Sequence, residues 1–599
     1  MNQTQKERLA YFEGLYENAK NAYADTLLHL ERQYEQYLGS KSLDGAREGA
    51  SLVRNITYEI IESQVSSEIP APKVSPLWYS ERRDRLAQSV ERLCIAERDR
   101  LPFEEMNDID ERYTYIYGSS IFFIEWDSDA KSGGGVKVSC LSPRNFIPEP
   151  NVSKIEDMDY CFLRFLTTKR DISRRFSIKE TELCHLSLES DSPEAIISTN
   201  ENEEAVTLVI AFYRAENGEV GQFIFSGDLV LSDLPNYYAR KRRVCKRCHE
   251  SEEECECGGN DYTLEDEVEE DLFLSYTLDD AGIPQAHFSK AFEGGAGVFG
   301  VERIRVPYFR IQSFPIVIRK NTSREGSLYG QSDCEFLRPQ QQAINKVESR
   351  ILQKLLRAGI TPIVPEDATI SLNNSVFGQL IKMKPGENAN QYGTVDTTPD
   401  ISQDIAEAER LYLHAKRILG ISDAYVGIGD YKNESGYARQ LQISQASGRL
   451  ESKRKMKHTA YASVDRLIFE HTLAFSDNRQ NLSYRDAYGR IHDASFHRYD
   501  FLRFDDEGRG YVFDTDFLFS ADQSGVVEGQ RDRLWEKNLE NLRMGALGEV
   551  TNPETLLRYW QFQERAHYPY ARDNVEYFAM MIQKGGLPID ETSRSEELP

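Results

Sequence analysis

Positive charge is in short supply. The 599-residue chain carries 72 Lys and Arg against 98 Asp and Glu, a formal charge of −26. A general nucleic-acid binder needs a positive surface to neutralise phosphates, so that class is excluded. A protein that handles DNA without gripping it is not. Long apolar runs are missing as well. The longest candidate, Ala205 to Tyr213, is strand-length and falls far short of the ~20 residues that span a bilayer. No membrane association is expected. No apolar h-region follows Met1 to Arg8, so a soluble protein made in a reducing cytoplasm is expected.

Catalytic signatures are also wanting. There is no G-x-x-x-x-G-K-[ST], no H-E-x-x-H and no G-x-S-x-G. Gly295 to Gly300 matches G-x-G-x-x-G, but the strand-like Ile304 to Ile311 follows it where a dinucleotide site needs a helix. Ten His residues show no triad-like spacing, and in so acidic a chain carboxylate pairs arise by composition alone. No enzyme is expected.

Hydrophobic residues make up 40% of the chain, enough to fill real cores, and the length suggests three or four folding units. Helical periodicity runs over 4–38 (Leu9, Phe12, Tyr16, Ala19, Tyr23, Leu27, Leu30, Tyr34, Leu38) and stops at Gly39. Further helices are predicted at about 45–67 and 76–100. From 113 to 310 short β-branched and aromatic runs alternate with turn residues, which predicts a strand-rich region. Helical spacing returns at 333–358, 401–419, 436–475 and about 525–584, with strand-like pieces at 481–519. The fold class is therefore α+β.

Nine cysteines occur, and five (Cys94, Cys140, Cys161, Cys184, Cys334) are scattered without an assignable role. The other four are Cys245, Cys248, Cys255 and Cys257, spaced C-x2-C-x6-C-x-C. In a reducing compartment four thiolates so close in sequence suit a tetrahedral, structural Zn²⁺ site. Lys246 and Arg247 are expected to lower the thiol pKa values, and His249 is read as a bystander. A redox dithiol pair or an uncommitted hairpin are the alternatives. The basic run Arg240 to Arg243 precedes an acidic run, Glu250 to Glu256, and local charge pairing is preferred to phosphate contact.

The segment 343–358 has two chemical faces. Ile344, Val347, Ile351, Leu352 and Leu355 share one side, while Lys346, Arg350, Lys354 and Arg357 form a basic stripe on the other. The stripe could face a polyanion. Ion pairing with a neighbouring helix, through Asp404, Glu407 or Glu409, is the preferred reading.

Several short stretches have a familiar order. Val53-Arg54-Asn55-Ile56 leads to Glu62-Ser63-Gln64-Val65 and then Ile69-Pro70-Ala71-Pro72-Lys73-Val74. Tyr117-Gly118-Ser119-Ser120 leads into Phe122-Phe123-Ile124-Glu125-Trp126-Asp127. Ser142-Pro143-Arg144-Asn145-Phe146-Ile147-Pro148 follows. Tyr329-Gly330-Gln331-Ser332 precedes Leu337-Arg338-Pro339-Gln340-Gln341 and Ile344-Asn345. In these stretches and their spacing the chain resembles the portal (head–tail connector) proteins of tailed bacteriophages over most of its length.

The resemblance implies a mixed α/β wing over 1–332, with the cysteine cluster in an insertion at about 240–271 that portals do not generally have. It implies a first stem helix at 333–358, a small clip at 359–400 and a second stem helix at 401–420. Residues 421–524 would supply the tunnel loop, a long wing helix and C-terminal wing strands. Residues 525–599 would form a helical crown containing Trp535, Trp560 and Phe578, and a tail. The implied function is a homo-oligomeric ring, typically a dodecamer, at one capsid vertex of the virion, assembled in the host cytoplasm. Double-stranded DNA would pass through it during packaging and ejection. The implied partners are the large terminase, the head–tail adaptor and the major capsid or scaffold protein. The acidity suits a bore that repels DNA, and Lys432 in the tunnel loop joins Lys346, Arg350, Lys354 and Arg357 as a channel candidate. The rivals are a zinc-stabilised capsid scaffold or adaptor without a DNA channel, and a nuclease whose carboxylate site is not visible in the sequence.

Overall fold

The computed structural model describes residues 3–39, 54–78, 80–128, 130, 134–188, 205–248, 255, 257, 262–278, 284–290, 298–356, 360–363, 393–396, 399–421, 436–477, 479–482, 484–485, 491–492, 495–505, 510–521, 528–549, 552–565 and 571–583. The fold is α+β, and among the described residues no helix is long and apolar enough to cross a membrane.

The chain opens with α1 (Gln3–Ala22) and α2 (Ala24–Leu38). Gly39, at φ 72°, ends α2 in the left-handed conformation that only glycine adopts without strain. Next come α3 (Ile56–Glu62), β1 (Pro72–Pro76), α4 (Glu81–Arg100) and α5 (Phe103–Tyr117). Asn55 caps α3 by accepting from the Tyr58 N–H at 3.0 Å, and Ser80 caps α4 by accepting from Arg83 at 3.2 Å. The predicted helix at 76–100 thus begins five residues late. Pro76, where it was expected to begin, instead ends strand β1, and the helix starts after its cap at Ser80. Of the predicted 45–67 helix, 56–62 is helical and 45–53 lies outside the described residues.

The strand-rich region holds β2 (Ser119–Asp127), β3 (Gly135–Leu141), β4 (Phe146–Pro148), β5 (Tyr160–Thr168), α6 (Lys169–Phe176), β6 (Ala205–Arg214), β7 (Val220–Ser226), β8 (Leu229–Leu234), β9 (Arg240–Cys245), β10 (Tyr262–Glu267), β11 (Glu269–Leu278), β12 (Pro284–Ser289), β13 (Phe299–Pro307) and β14 (Ile316–Lys320). β13 is the strand expected after the glycine-rich loop. Strands β4 to β8 form one antiparallel sheet in sequence order. Its two faces sort by the period of two. Val209 and Ala211 of β6 pack beneath Leu9, Phe12, Tyr16 and Ala19 of α1, while Leu208, Ile210 and Phe212 face the main core with Ile121 to Ile124 of β2.

The last part contains α7 (Asp333–Leu356), a ribbon of β15 (Ile360–Ile363) and β16 (Gly393–Asp396), α8 (Ser402–Leu419) and the 40-residue α9 (Gly436–Phe475). The short strands β17 (Gln480–Asn481), β18 (Tyr484–Arg485), β19 (Ile491–His492), β20 (Ser495–Phe496), β21 (Leu502–Phe504), β22 (Tyr511–Phe513) and β23 (Phe517–Ala521) follow, then α10 (Glu528–Arg543), α11 (Pro553–Arg565) and α12 (Ala571–Gln583). Pro339 lies inside α7, where it removes one backbone N–H from the helical ladder. Trp535 and Trp560 meet with ring centroids 6.1 Å apart.

Two glycines of the singled-out stretches meet back to back. Gly118, at φ 84°, ends α5, and a Cβ there would stand 2.4 Å from the Gly330 carbonyl oxygen. A Cβ on Gly330 would stand 2.4 Å from the Gly118 oxygen. The Gly330 N–H donates to Ser119 Oγ at 2.8 Å, and Ser332 Oγ donates to the Ile116 carbonyl at 2.6 Å. This joint fixes the start of α7 against the end of α5. Gly118→Ala and Gly330→Ala should each lower stability by about 2 kcal/mol or more. Gly14→Ala, with nothing near its Cβ in α1, should raise it by up to about 1 kcal/mol. Thermal denaturation of the three variants checks the contrast.

His471 of α9 is fully buried and donates from Nδ1 to the Leu467 carbonyl at 2.7 Å. Burial pushes its imidazole from 6.5 down to about 4. The folded value lies below the unfolded one, so this contribution is complete above about pH 6.5 and is lost as the pH falls towards 4, at ~1.4 kcal/mol per unit. A His471→Phe variant should show a flatter melting temperature between these two pH values than the native chain.

Candidate metal centre and the basic helix stripe

Strands β9 and β10 pair antiparallel, with Cys245 opposite Tyr262 at the far end of the ribbon. Just past that end the chain brings its four clustered sulfurs together, all within 4.8 Å of one another. Cys245 Sγ lies 3.4 Å from Cys257 Sγ, Cys255 Sγ lies 3.4 Å from Cys257 Sγ, and Cys248 Sγ lies 3.6 Å from Cys255 Sγ. Four sulfurs around a tetrahedral ion with ~2.3 Å bonds stand about 3.8 Å apart, so little adjustment is needed. The four are free thiols. Cys245 is buried and the other three are half-buried.

The thiol of Cys245 is pulled from 9.0 down to about 6. The largest cause is the backbone N–H of Arg247, which donates to the sulfur at 3.5 Å, followed by the backbone N–H of Cys248. The lowering at Cys245 comes first from main-chain N–H groups and then from the neighbouring thiols of Cys257 and Cys255, not from the charges of Lys246 and Arg247. Such donors stabilise a thiolate, the form that binds metal. These residues fit a metal ion held by four thiolates. His249 lies outside the described residues. Of the scattered cysteines, Cys94, Cys140, Cys161 and Cys334 have thiols pushed up by burial, and Cys184 is exposed.

The basic run before the cluster is used locally. Arg240 donates from Nε and Nη2 to the Ala474 carbonyl at 3.0 and 2.8 Å, and its Nη1 lies 2.6 Å from Asp477 Oδ1. Lys241 pairs with Asp266 across the ribbon, and Arg242 faces Glu265. The acidic partners are those of β10 and Asp477. Of the run Glu250 to Glu256, only Cys255 lies within the described residues.

Helices α7 and α8 run antiparallel. Leu337 and Ile344 pack on Tyr412, Ala415 and Leu419 at one end. At the other, Arg350 Nη2 and Lys354 Nζ both lie 2.6 Å from the carboxylate of Asp404. Lys354 first, then Arg350, holds that carboxyl below its usual value. Glu407 pairs with Arg410 of its own helix, and Glu409 with Arg54. The ion-pair reading of the stripe therefore holds for two of its members. Lys346 is exposed. Arg357 and Lys432 lie outside the described residues.

A set of buried charges escaped the sequence reading. Arg319 of β14 reaches Asp110 and, at 2.8 Å, Glu111, both on α5. Lys457 lies 3.0 Å from Glu111 and donates to the Glu68 carbonyl at 2.6 Å. Lys453 lies 2.7 Å from Asp333, and Arg98 donates to Asp465 at 2.7 and 2.8 Å. Beside Arg319, Glu111 and Lys457 lies a cavity of about 30 Å³, room for about two waters. Lysines four apart at 453 and 457 were the only local signal. Their partners lie far away in sequence.

No protein-family model matches the chain, and no curated protein matches its sequence.

The metal reading gives a direct expectation. Purified without chelator, the protein should carry close to one tightly held metal ion per chain, and Cys248→Ser should lose it. Elemental analysis that finds essentially no metal in the native chain would falsify the assignment.

Proposed function

We propose that this chain is a portal-type subunit, copies of which close into a ring, twelve being the expected number, around a channel for double-stranded DNA at one capsid vertex. The observation that supports this reading best is the order of α7, the β15–β16 ribbon, α8 and α9, followed by three C-terminal helices. That is the order of stem, clip, stem, long wing helix and crown. The −26 charge of each copy suits a bore that does not hold a polyanion. The large terminase and the head–tail adaptor would dock on the clip, and capsid or scaffold protein on the wing. The metal is proposed to be Zn²⁺ in a structural role, because four thiolates fill a tetrahedral shell and leave no position for a substrate.

The pairing of Arg350 and Lys354 with Asp404 favours a second reading, a capsid scaffold or adaptor without a DNA channel. It leaves Lys346 as the described stripe residue able to meet phosphates. Electron microscopy of the purified chain separates the two. Rings with a central hole wide enough for a duplex are expected, and compact monomers or dimers under every assembly condition would sink the portal reading. In rings, Lys346→Glu should alter DNA retention without loss of assembly. Asp404→Ala should instead weaken the helical hairpin, read as a lower melting temperature.

A further inference from the structure

The metal site sits at the tip of a ribbon whose other end lies against the C-terminus of α9, and the two ends are linked by strand register. We infer that the metal-held tip splints the β9–β10 ribbon and thereby fixes the C-terminal end of α9. The inference rests on metal binding at the four thiolates and is independent of ring assembly.

The last carbonyls of a helix lack intrahelical donors and must find others. At α9 the Ala474 carbonyl accepts from Arg240 and, at 3.4 Å, from Arg498 Nη1. Asp477, just beyond the helix, lies 2.6 Å from Arg240, 3.2 Å from Lys290 and 3.7 Å from Arg498. These cations also complement the negative end of the helix dipole. Arg240 is the first residue of β9, and it faces Glu267, the last of β10. Three residues on, β11 contains Glu270, which is buried and accepts from Arg498 and, at 2.9 Å, from Tyr499 Oη. Both chains of the ribbon therefore run from the metal tip to the cluster that closes α9.

Among the described strands β9 and β10 pair only with each other, and an isolated two-stranded ribbon is marginal in water. The chain between Cys245 and Tyr262 must also be closed against its entropy. One sulfur belongs to the final residue of β9, and the other three come from that connection. An ion there cross-links the connection to the strand. Its effect is carried roughly 16 Å along β9 to Arg240. Without it the tip of the ribbon loses its cross-link, and the register of Arg240 against Glu267 rests on the ribbon's hydrogen bonds, the Lys241–Asp266 pair and the contacts of Arg240 itself.

The test is amide hydrogen exchange on the full chain, as purified, after chelation, and after adding Zn²⁺ alone. The Ser476 amide, which donates to the Thr472 carbonyl at 2.9 Å, reports the end of α9. It and the ribbon amides should exchange about tenfold faster without metal and recover with Zn²⁺, while amides around Tyr461 stay unchanged. Arg240→Ala should keep the metal, show fast exchange at Ser476, and no longer respond to chelation. Metal release with Ser476 exchange unchanged to within about twofold overturns the splint and leaves the metal site standing. Uniform acceleration along α9, including Tyr461, overturns it too, because the ion would then be a requirement of the whole fold. A chain that holds no metal and takes up no added Zn²⁺ overturns both the splint and the site.

Discussion

Four residues a turn apart on α9, Lys453, Lys457, Tyr461 and Asp465, tie it to three other helices, α7, α5 and α4. Lys453 meets Asp333 at the start of α7, Lys457 meets Glu111, Tyr461 donates to Asn107 of α5 at 3.1 Å, and Asp465 takes Arg98 of α4. Burying a charge costs several kcal/mol unless a partner with good geometry compensates. In this stripe the compensation is specific to one axial position of α9. Sliding the helix by a turn would carry Asp465 into the place of Phe469, which packs among Phe496, Phe501 and Phe517. An all-apolar stripe would tolerate such a slip far better. The ionic ladder thus sets where α9 lies, and the strands of the main core are packed against the position it sets.

The parts of the fold that were legible are those whose signal is local. The stripe of Leu9, Phe12, Tyr16 and Ala19 marked α1 because an amphipathic helix on a sheet repeats every three or four residues. The bounds of α9, 436–475, were read correctly, although buried charges interrupt its inner face. Helix α5 was missed. Its buried positions include Asn107, Asp110, Glu111 and Thr114, so its inner face looks polar in sequence. Helix α6 was missed because it is short and buries only Ile172. The start of α4 was set about five residues early, at Pro76, which ends β1, while the capping Ser80 marks where the helix begins.

The candidate sites divide along the same line. The cysteine cluster was readable because all four thiols fall within thirteen residues, and the fold brings the sulfurs to 3.4–3.6 Å of their neighbours. The buried charges were not readable. Arg319 and Asp110 are separated by 209 positions, and nothing short-range distinguishes either from a solvated surface charge. The basic stripe of α7 lies between these cases. Asp404 was one of three carboxylates named for it, and only the packing of α7 on α8 selects it from Glu407 and Glu409.

Pro339 gives α7 an uneven stiffness. On one side of it Cys334 and Leu337 are fully buried beside the Gly118–Gly330 joint. On the other the helix runs out with α8 towards the β15–β16 ribbon. The rung that the proline leaves empty is the most compliant point between the two, since bending there breaks no hydrogen bond. Any flexing of the outer part of α7 is therefore concentrated at Pro339, away from the two backbones that touch without any side chain between them.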